Sequence, residues 1–275
     1  PVLDGIDRAV TADEAREFME SLGDGSSVII KALAGGGGRG TSAVENPADL
    51  GAIYDRCQRE AQMAFGIGDL YVEEFLSHAR HIEVQILGDL DGNVTHLSER
   101  DCSVQRRNQK VVEVAPAPGL DDGLREQIID AAVRFATKQK YSNLGTFEFL
   151  VDASGREGAQ PFVFIEANAR LQVEHTVTEA VTGLDLVAIQ LQIAGGSTLD
   201  DLGLVASNVP GPQGVAVQAR VNLETMAEDG QSRPGGGVIT AYEPPAGPGV
   251  RVDGFGYTGY VTSPHYDSLL AKVIA

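Results

Sequence analysis

Seven short segments of this 275-residue chain alternate apolar and polar side chains with a period of two, which is the pattern of half-buried β-strands. They are Val28–Leu33, Leu70–Leu76, His81–Leu87, Val94–Glu99, Gly145–Val151, Phe162–Arg170 and Gly214–Leu223. Short turn-rich loops, Asp89–Asn93 and Asp152–Gln160, join consecutive segments, so we expect the strands to pair antiparallel. The pattern predicts an α+β fold and argues against a strict βαβ repeat.

Capping signals place four helices among these strands. Thr11 with Glu14 forms a capping box, and Thr176 with Glu179 repeats that spacing before a long apolar-periodic run. The predicted helices cover Ala12–Leu22, Asn46-Pro47 to about Phe65, Asp121 or Asp122 to about Gln139, and Thr176 to Gly195-Gly196. Beyond Ser197 the chain becomes rich in Gly and Pro turns, which indicates a domain boundary near Asn208–Pro212.

Charge and cysteine content exclude several classes of protein. Asp and Glu number 39 against 21 Lys and Arg, a net charge of −18, so binding to the phosphate backbone of a nucleic acid is not expected. The two cysteines form no metal or disulfide framework, and no stretch has the length and apolarity of a membrane span. We therefore expect no nucleic-acid or membrane partner and a reducing, cytoplasmic setting. A start at Pro1 and an end within an apolar run predict a piece of a longer polypeptide.

A glycine-rich loop follows the first long strand, in the run Lys31–Gly40. Consecutive glycines let backbone N–H groups turn toward an anion, while Lys31 and Arg39 add positive charge, so the loop indicates a phosphate cradle. The run formally fits a dinucleotide fingerprint, but Pro47 begins the next helix too late for one. A Walker A loop does not fit either, because its lysine follows the glycines. A plain flexible hairpin tip remains the alternative.

Polar side chains line up on two strands that we expect to pair. Alternation places Glu148 away from Phe147 and Phe149, and it places Glu166, Asn168 and Arg170 on one face of the following strand. Glu148 and Glu166 would then be cross-strand neighbours, which requires a cation between like charges. Hard oxygen ligands favour Mg²⁺ or Mn²⁺, ions that also bridge nucleotide phosphates. The alternative is an exposed polar sheet face that serves solubility.

The turn after these strands carries a candidate general base. Glu174 lies between the row of polar residues and the predicted helix, within reach of the proposed metal and phosphate site. His175 is better explained as a residue at the helix start that bonds the backbone than as a catalytic group.

Five ordered blocks of the sequence resemble the biotin carboxylase family of the ATP-grasp superfamily, which occurs in acetyl-CoA, propionyl-CoA and pyruvate carboxylases. The blocks are Val28–Ala32 with its glycine loop, His81–Gln85, Glu99–Glu113, Gly145–Phe149 and Ile165–His175. A lone glycine loop carries little weight, whereas five blocks in family order, spread through almost the whole chain, are specific. The resemblance implies an ATP-grasp fold with a lid subdomain in residues 1–75, a catalytic subdomain in 76–205 and an incomplete C-terminal subdomain in 206–275.

The resemblance also implies a reaction, in which ATP and bicarbonate form carboxyphosphate and the released carbon dioxide carboxylates biotin on a carrier domain. Residues implied for phosphate are Lys31, Gly36, Gly37 and Gly38; for adenine and ribose, Glu73, Glu74, Phe75, Leu76, His81, Gln105 and Asn108; for Mg²⁺ or Mn²⁺, Glu148, Glu166 and Asn168. Residues implied for bicarbonate are Lys110, Arg170, Gln172 and Val173, with Glu174 as the base and Arg220 binding bicarbonate and steadying the biotin enolate. Asn108 stands where many members have His, so one ribose contact is expected to differ.

Partners and activity follow from the same resemblance. We expect a biotin carboxyl carrier and a carboxyltransferase, as domains or subunits, and a homo-oligomeric parent enzyme. The family's N-terminal Rossmann-like domain, which ends near another ATP-binding lysine, has no counterpart in this sequence, so the chain by itself is expected to be inactive. Two alternatives stay open: an ATP-grasp ligase of carbamoyl-phosphate synthetase type, which the block Arg170–His175 and Arg220 disfavour, and a non-catalytic nucleotide-binding or assembly module.

Overall fold

A computed structural model describes residues 1–23, 25–34, 40–106, 109–153, 160–205, 208–228, 232–263 and 267–275. The predicted glycines Gly36, Gly37 and Gly38, and Asn108, lie outside these residues. The chain divides into two compact units, residues 1–80 with 149–165, and residues 81–148 with 166–275. The predicted three-part division at residues 75 and 205 stays a prediction.

The strands and helices have the following bounds. The strands are β1 Gly5–Ile6, β2 Ser27–Ala32, β3 Thr41–Val44, β4 Leu70–Phe75, β5 Ala79–Gly88, β6 Val94–Arg106, β7 Gln109–Ala115, β8 Asn143–Asp152, β9 Phe162–Asn168, β10 Ala216–Asn222, β11 Glu224–Met226, β12 Ser232–Pro234, β13 Gly237–Val238, β14 Arg251–Gly254, β15 Val261–Thr262 and β16 Leu269–Ile274. The helices are α1 Ala12–Ser21, α2 Leu50–Phe65, α3 Asp122–Lys138, α4 His175–Thr182 and α5 Leu186–Ala194, with a 3₁₀ turn at Pro47–Asp49 before α2.

The first unit contains a four-stranded antiparallel sheet in the order β1-β4-β2-β3. Its core is built from β2 and β4 residues such as Val28, Ile30 and Val72, all 0% exposed, together with buried residues of α1 and α2. The predicted capping box of α1 is present, with Thr11 accepting from the Glu14 N–H and the Glu14 carboxylate accepting from the Thr11 N–H. The capping residues therefore fix the start of α1 as the sequence predicts.

The second unit is organised around an eight-stranded sheet in the order β14-β16-β10-β7-β6-β5-β8-β9. Strand β8 begins in this unit and strand β9 ends in it, whereas the chain from Phe149 to Ile165 belongs to the first unit. Helices α4 and α5 cover one face, where Val177 and Val181 pack with Ala216, and Leu186 packs with Leu97. All strand pairs with recorded register are antiparallel, as predicted.

The predicted helix from Thr176 to Gly195-Gly196 is wrong in two respects. It is two helices, because Gly183 adopts a left-handed conformation (φ 73°) that ends α4, and Asp185 then caps α5 by accepting from the Ala188 N–H. Thr176 and Glu179 form no capping box, since α4 begins at His175 and both residues lie inside it. Among the described residues no single helix is long and apolar enough to cross a membrane, although α4 and α5, bent by 100°, meet the length and composition criteria as a pair.

Burial of polar strand faces is the second departure from the sequence pattern. The alternation in β10 is as predicted, but its polar face is the inner one: Gln218 is 0% exposed while Val217 is 41% exposed. In β8 both faces are buried, so Glu148 is 3% exposed and lies within a polar network. An exposed polar sheet face is therefore excluded for Glu148, whereas Glu166 and Arg170 are exposed.

Candidate active site

Lys110 is the centre of the buried polar cluster in the second unit. It lies on β7, and its side chain is 13% exposed. Its ammonium donates to three carboxylates, at 2.6 Å to Glu83, 2.9 Å to Glu148 and 2.7 Å to Glu174. One cation thereby joins residues from β5, β8 and the turn before α4.

Electrostatic attraction keeps Lys110 and Glu83 ionised although both are buried. Burial disfavours the charged form of Lys110, but the attraction of Glu83 and Glu174 outweighs it and holds the pKa of Lys110 above its usual value. Burial likewise opposes ionisation of Glu83, yet Arg100 and Lys110 keep the pKa of Glu83 below its usual value. The site therefore consists of paired charges whose geometry is fixed by their partners.

Glu148 is the predicted metal ligand with the most partners. Besides Lys110, its Oε1 accepts from Asn168 and from Gln172, each at 2.9 Å, and its Oε2 lies 2.7 Å from His81 Nε2. Burial works against the ionised form, but the contacts with His81 and Lys110 outweigh it and lower the pKa of Glu148 to about 2. Glu148 is therefore ionised near neutral pH, which is the form in which a carboxylate binds a metal ion.

The predicted metal-binding residues are brought together. The amide nitrogen of Asn168 donates at 2.9 Å both to Glu148 and to Glu166, so it stands between two carboxylates where a cation would be favoured. Rotation of the amide would present its oxygen in place of the nitrogen, which completes a set of hard oxygen donors. The residues therefore fit Mg²⁺ or Mn²⁺, and Arg170 donates to the Asn168 oxygen at 3.2 Å.

The predicted base and the predicted arginine are in direct contact. Glu174 is 2% exposed, and its Oε2 accepts from Arg220 at 3.0 Å while its Oε1 accepts from Lys110. Arg220 also donates to Glu113 at 2.6 Å, and Gln218 donates to the other Glu113 oxygen at 2.8 Å. Burial raises the pKa of Glu113 although Arg220 favours its charged form. Glu174 therefore sits between two cations.

The turn before α4 carries the other predicted bicarbonate residues. Gln172 is 7% exposed, and its Oε1 is buried without a hydrogen-bond partner among the described residues, so an acceptor there is open to a ligand donor. The Val173 carbonyl accepts from the buried ammonium of Lys272 at 2.7 Å, which holds the turn to β16. His175 contacts the Gln172 carbonyl through Nδ1 at 2.6 Å, which supports its interpretation as a backbone-bonded residue.

The residues predicted for nucleotide binding are divided between the units. In the first unit Lys31 pairs with Glu73, while Glu74, Phe75 and Leu76 are half-buried at the end of β4. In the second unit Gln105 contacts His81 Nδ1 at 3.1 Å. Each unit therefore presents its own part of the predicted set.

Sequence reasoning missed Glu83 and Glu113 as members of the site, although both lie in quoted blocks. The available signal for Glu83 was the alternation His81-Ile82-Glu83-Val84-Gln85, which puts three polar side chains on one strand face. Glu83 and Glu113 are both 0% exposed. Their partners come from other strands, so their importance is visible only in the folded chain.

Two family profiles match the chain. The profile described as "Carbamoyl-phosphate synthase L chain, ATP binding domain" matches residues 1–202, and "Biotin carboxylase C-terminal domain" matches residues 218–275. Among curated relatives, pyruvate carboxylase 1 of Caenorhabditis elegans is 51% identical over 266 residues, and the mitochondrial pyruvate carboxylase of Homo sapiens is 49% identical over 277 residues. The matches cover 96% and 100% of this chain but only 22% and 23% of those relatives.

Solved structures give the same picture. The biotin carboxylase domain dimer of the Hydrogenobacter thermophilus 2-oxoglutarate carboxylase, in complex with MgADP, ADP and bicarbonate, has a TM-score of 0.88 and 41% identity, covering 100% of this chain and 58% of that one. A Campylobacter jejuni biotin carboxylase–nucleotide complex has a TM-score of 0.87 and 40% identity, with the same coverage. These likenesses confirm the predicted α+β, ATP-grasp fold.

Proposed function

We propose, starting from the fact that this chain belongs to the family of carbamoyl-phosphate synthase L chain ATP-binding domains, that it is the ATP- and bicarbonate-handling part of a biotin carboxylase. The observation that carries the proposal is the position of Glu174, a buried carboxylate held between Lys110 and Arg220. An anion such as bicarbonate would bind to the two cations, Lys110 and Arg220. Because both cations contact Glu174, the bound anion would lie next to the base.

The residues of the second unit divide the work. Lys110 and Arg220 bind the bicarbonate anion and Glu174 accepts its single proton. The Gln172–Val173 turn before α4, which Lys272 holds through the Val173 carbonyl, completes the proposed bicarbonate site. Glu148, Glu166 and Asn168 would hold a Mg²⁺ or Mn²⁺ ion, which would neutralise phosphate charge of ATP when bound. Lys31 of the first unit serves the phosphates, and Arg220 later steadies the enolate of biotin.

Biotin carboxylation is favoured over carbamoyl-phosphate chemistry by one feature of the second unit. Arg220 reaches Glu174 from β10, and Gln218 on the same strand orients Glu113, which in turn holds Arg220. Gln218 and Arg220 both lie in the segment, residues 218–275, that matches the biotin carboxylase C-terminal domain. A ligase without that segment would lack the second cation on Glu174.

The whole protein is proposed to be larger than this chain, which spans about a fifth of the length of the curated relatives it matches. Its partners would be a biotin carboxyl carrier and a carboxyltransferase, as domains or subunits, within a homo-oligomer. We propose a cytoplasmic location. We further propose that residues 1–275 alone turn over negligibly, because the family's N-terminal lysine is not among them.

The test is fixation of labelled bicarbonate onto free biotin with Mg²⁺-ATP, run on the complete polypeptide and on residues 1–275. We expect turnover by the complete polypeptide, bicarbonate-dependent ATP hydrolysis that biotin stimulates, and nucleotide binding without turnover by residues 1–275. ATP hydrolysis that ammonia stimulates and biotin does not would contradict the proposal in favour of the carbamoyl-phosphate type. Nucleotide binding by the complete polypeptide without any hydrolysis would favour the non-catalytic module.

A further inference from the structure

We propose that Arg100 is a positioning residue that fixes the contact between Lys110 and Glu174 from two sides. The inference rests on the function proposed above, because Lys110 and Glu174 are its bicarbonate-binding cation and its base. Arg100 lies on β6, is 0% exposed and is the largest fully buried side chain among the described residues. Its four hydrogen-bond partners among the described residues include none that is predicted to bind nucleotide or metal.

A bulge in β6 turns Arg100 inward. Leu97 lies in one apolar cluster with Leu186 of α5 and Arg100 bonds Thr178 of α4, so both lie on the side of the sheet that carries these helices although they are three positions apart. An odd separation places two residues on opposite faces of a regular strand. Ser98 between them has a positive φ of 63°, and the pairing with β5 shifts register at this place. The strained residue thereby reverses the alternation for Arg100.

The guanidinium group of Arg100 makes four hydrogen bonds to buried acceptors on two strands, β5 and β8, and one helix, α4. Nε donates to Glu83 at 2.5 Å, Nη1 donates to Gln85 at 2.8 Å and to Thr178 at 2.9 Å, and Nη2 donates to Thr146 at 3.2 Å. None of these four acceptor residues is more than 1% exposed. Buried ion pairs add little net stability compared with apolar packing, so four hydrogen bonds from one buried guanidinium indicate a role in fixing geometry.

Two routes lead from Arg100 to the same contact. The first runs through Glu83, whose other oxygen accepts from Lys110 at 2.6 Å. The second runs through Thr178 of α4, one helical turn beyond Glu174 at the helix start. The routes meet where Lys110 donates to Glu174 at 2.7 Å. Arg100 therefore fixes the positions of both the Lys110 ammonium and the Glu174 carboxylate. Loss of either route should change the distance between these two groups.

The kinetic test uses the complete carboxylase. Thr178→Val keeps the side-chain volume and removes only the second route, while Arg100→Lys keeps the charge and Arg100→Gln removes it. We expect the bicarbonate KM to rise about tenfold in Thr178→Val and about a hundredfold in Arg100→Gln, from the loss of one and of several charge-assisted hydrogen bonds. In Arg100→Lys the bicarbonate KM should be about tenfold lower than in Arg100→Gln. The KM for ATP should stay within about twofold of the wild-type value in all three variants.

Two controls separate positioning from stability. Thr182→Val makes the same change one turn further along α4, where the hydroxyl bonds only backbone. Arg125→Gln breaks the ion pair with Glu99, the buried neighbour of Arg100 in β6, at 2.9 Å. Both control variants should lower the melting temperature and leave the bicarbonate KM unchanged. A smaller folded fraction lowers the apparent kcat but does not change the KM of the molecules that are folded.

A second readout needs no turnover. In residues 1–275, the ¹⁵N–¹H signal of the Lys110 ammonium should shift or broaden in Thr178→Val and stay in place in Thr182→Val. An unchanged bicarbonate KM in both Arg100 variants and Thr178→Val, in an enzyme whose wild type carboxylates biotin, would overturn this inference alone. A wild-type enzyme without bicarbonate-dependent ATP hydrolysis would instead overturn the proposed function.

Discussion

The ammonium of Lys110 donates to the carboxylate of Glu174 at 2.7 Å, although 64 residues separate them in the chain. Both are buried, and each has a second set of charged partners, Glu83 and Glu148 for Lys110 and Arg220 for Glu174. The predicted bicarbonate-binding cation and the predicted base are therefore in direct contact, and Lys110 also reaches Glu148 of the predicted metal site.

Removal of the shared cation should destabilise the fold strongly. Lys110→Met leaves three buried carboxylates without their common donor, and we expect a loss of about 3–5 kcal/mol of unfolding free energy. Urea unfolding measures the change. Lys138→Met, at an exposed lysine in the last turn of α3, should cost about 0.5 kcal/mol or less. Equal losses in the two variants would contradict the role assigned to Lys110.

Mg²⁺-dependent nucleotide binding should depend on Glu148 and Glu166 together. Glu148→Gln and Glu166→Gln each remove a negative oxygen donor from the set that Asn168 joins. We expect calorimetry to show weaker Mg²⁺-ATP binding in each variant, more severely for the buried Glu148. Glu126→Gln on the exposed side of α3 is the control. Wild-type Mg²⁺-ATP affinity in both single variants would disprove the metal site.

Carboxylation should be more sensitive than ATP binding to the Glu174–Arg220 pair. Glu174→Gln removes the base and Arg220→Gln removes a preorganised charge at a developing anion, a loss of about 3 kcal/mol or roughly a hundredfold in rate. Labelled-bicarbonate fixation by the complete enzyme measures it, alongside ATP affinity. Arg134→Gln, whose exposed side chain pairs only with Asp130 among the described residues, serves as control. A parallel fall of rate and ATP affinity would argue against these roles.

The break between α4 and α5 should depend on Gly183. Its φ of 73° disfavours any residue with a Cβ, and open space surrounds the place of that Cβ, so the cost of Gly183→Ala is backbone strain alone. We expect a loss of about 1 kcal/mol in unfolding free energy. Gly51→Ala inside α2 has ordinary helical geometry and should be neutral or stabilising. The reverse order of the two effects would refute the explanation.

Asp89 should make stability depend on pH. Burial opposes its ionisation, but hydrogen bonds from the Leu199 N–H and from Asn93 outweigh it and lower the pKa of Asp89. A carboxyl with a lowered folded-state pKa stabilises the fold above its ordinary pKa of about 4, and that stability is lost as the pH falls below it. The stability difference between wild type and Asp89→Asn should shrink on acidification. A constant difference for Asp89→Asn across this pH range would contradict the argument.

The sequence predicted the features that depend on neighbouring residues, above all the helix caps. The Thr11–Glu14 box, the Asn46 cap before Pro47 and the Asp121 cap of α3 are all present, because each joins a side chain to backbone within a few residues. The seven strands that alternation predicts are present, and β5 and β6 pair antiparallel across the short loop Asp89–Asn93. Strand β7, which carries Lys110, had no such signal, because its run Val111-Val112 interrupts the alternation.

The sequence by itself determined the caps at Thr11, Asn46 and Asp121, the α+β class and the residue types of the site. Only the tertiary structure decided which faces are buried and which charges meet. Alternation shows that the faces of β10 differ, but Gln218 is the inner residue because Glu113 and Thr176 satisfy its amide there. Arg100 faces inward because the bulge at Ser98 reverses the alternation and because its guanidinium donates to the buried Glu83 there. A polar group is buried where distant partners complete its hydrogen bonds, and those partners are neighbours only in the folded chain.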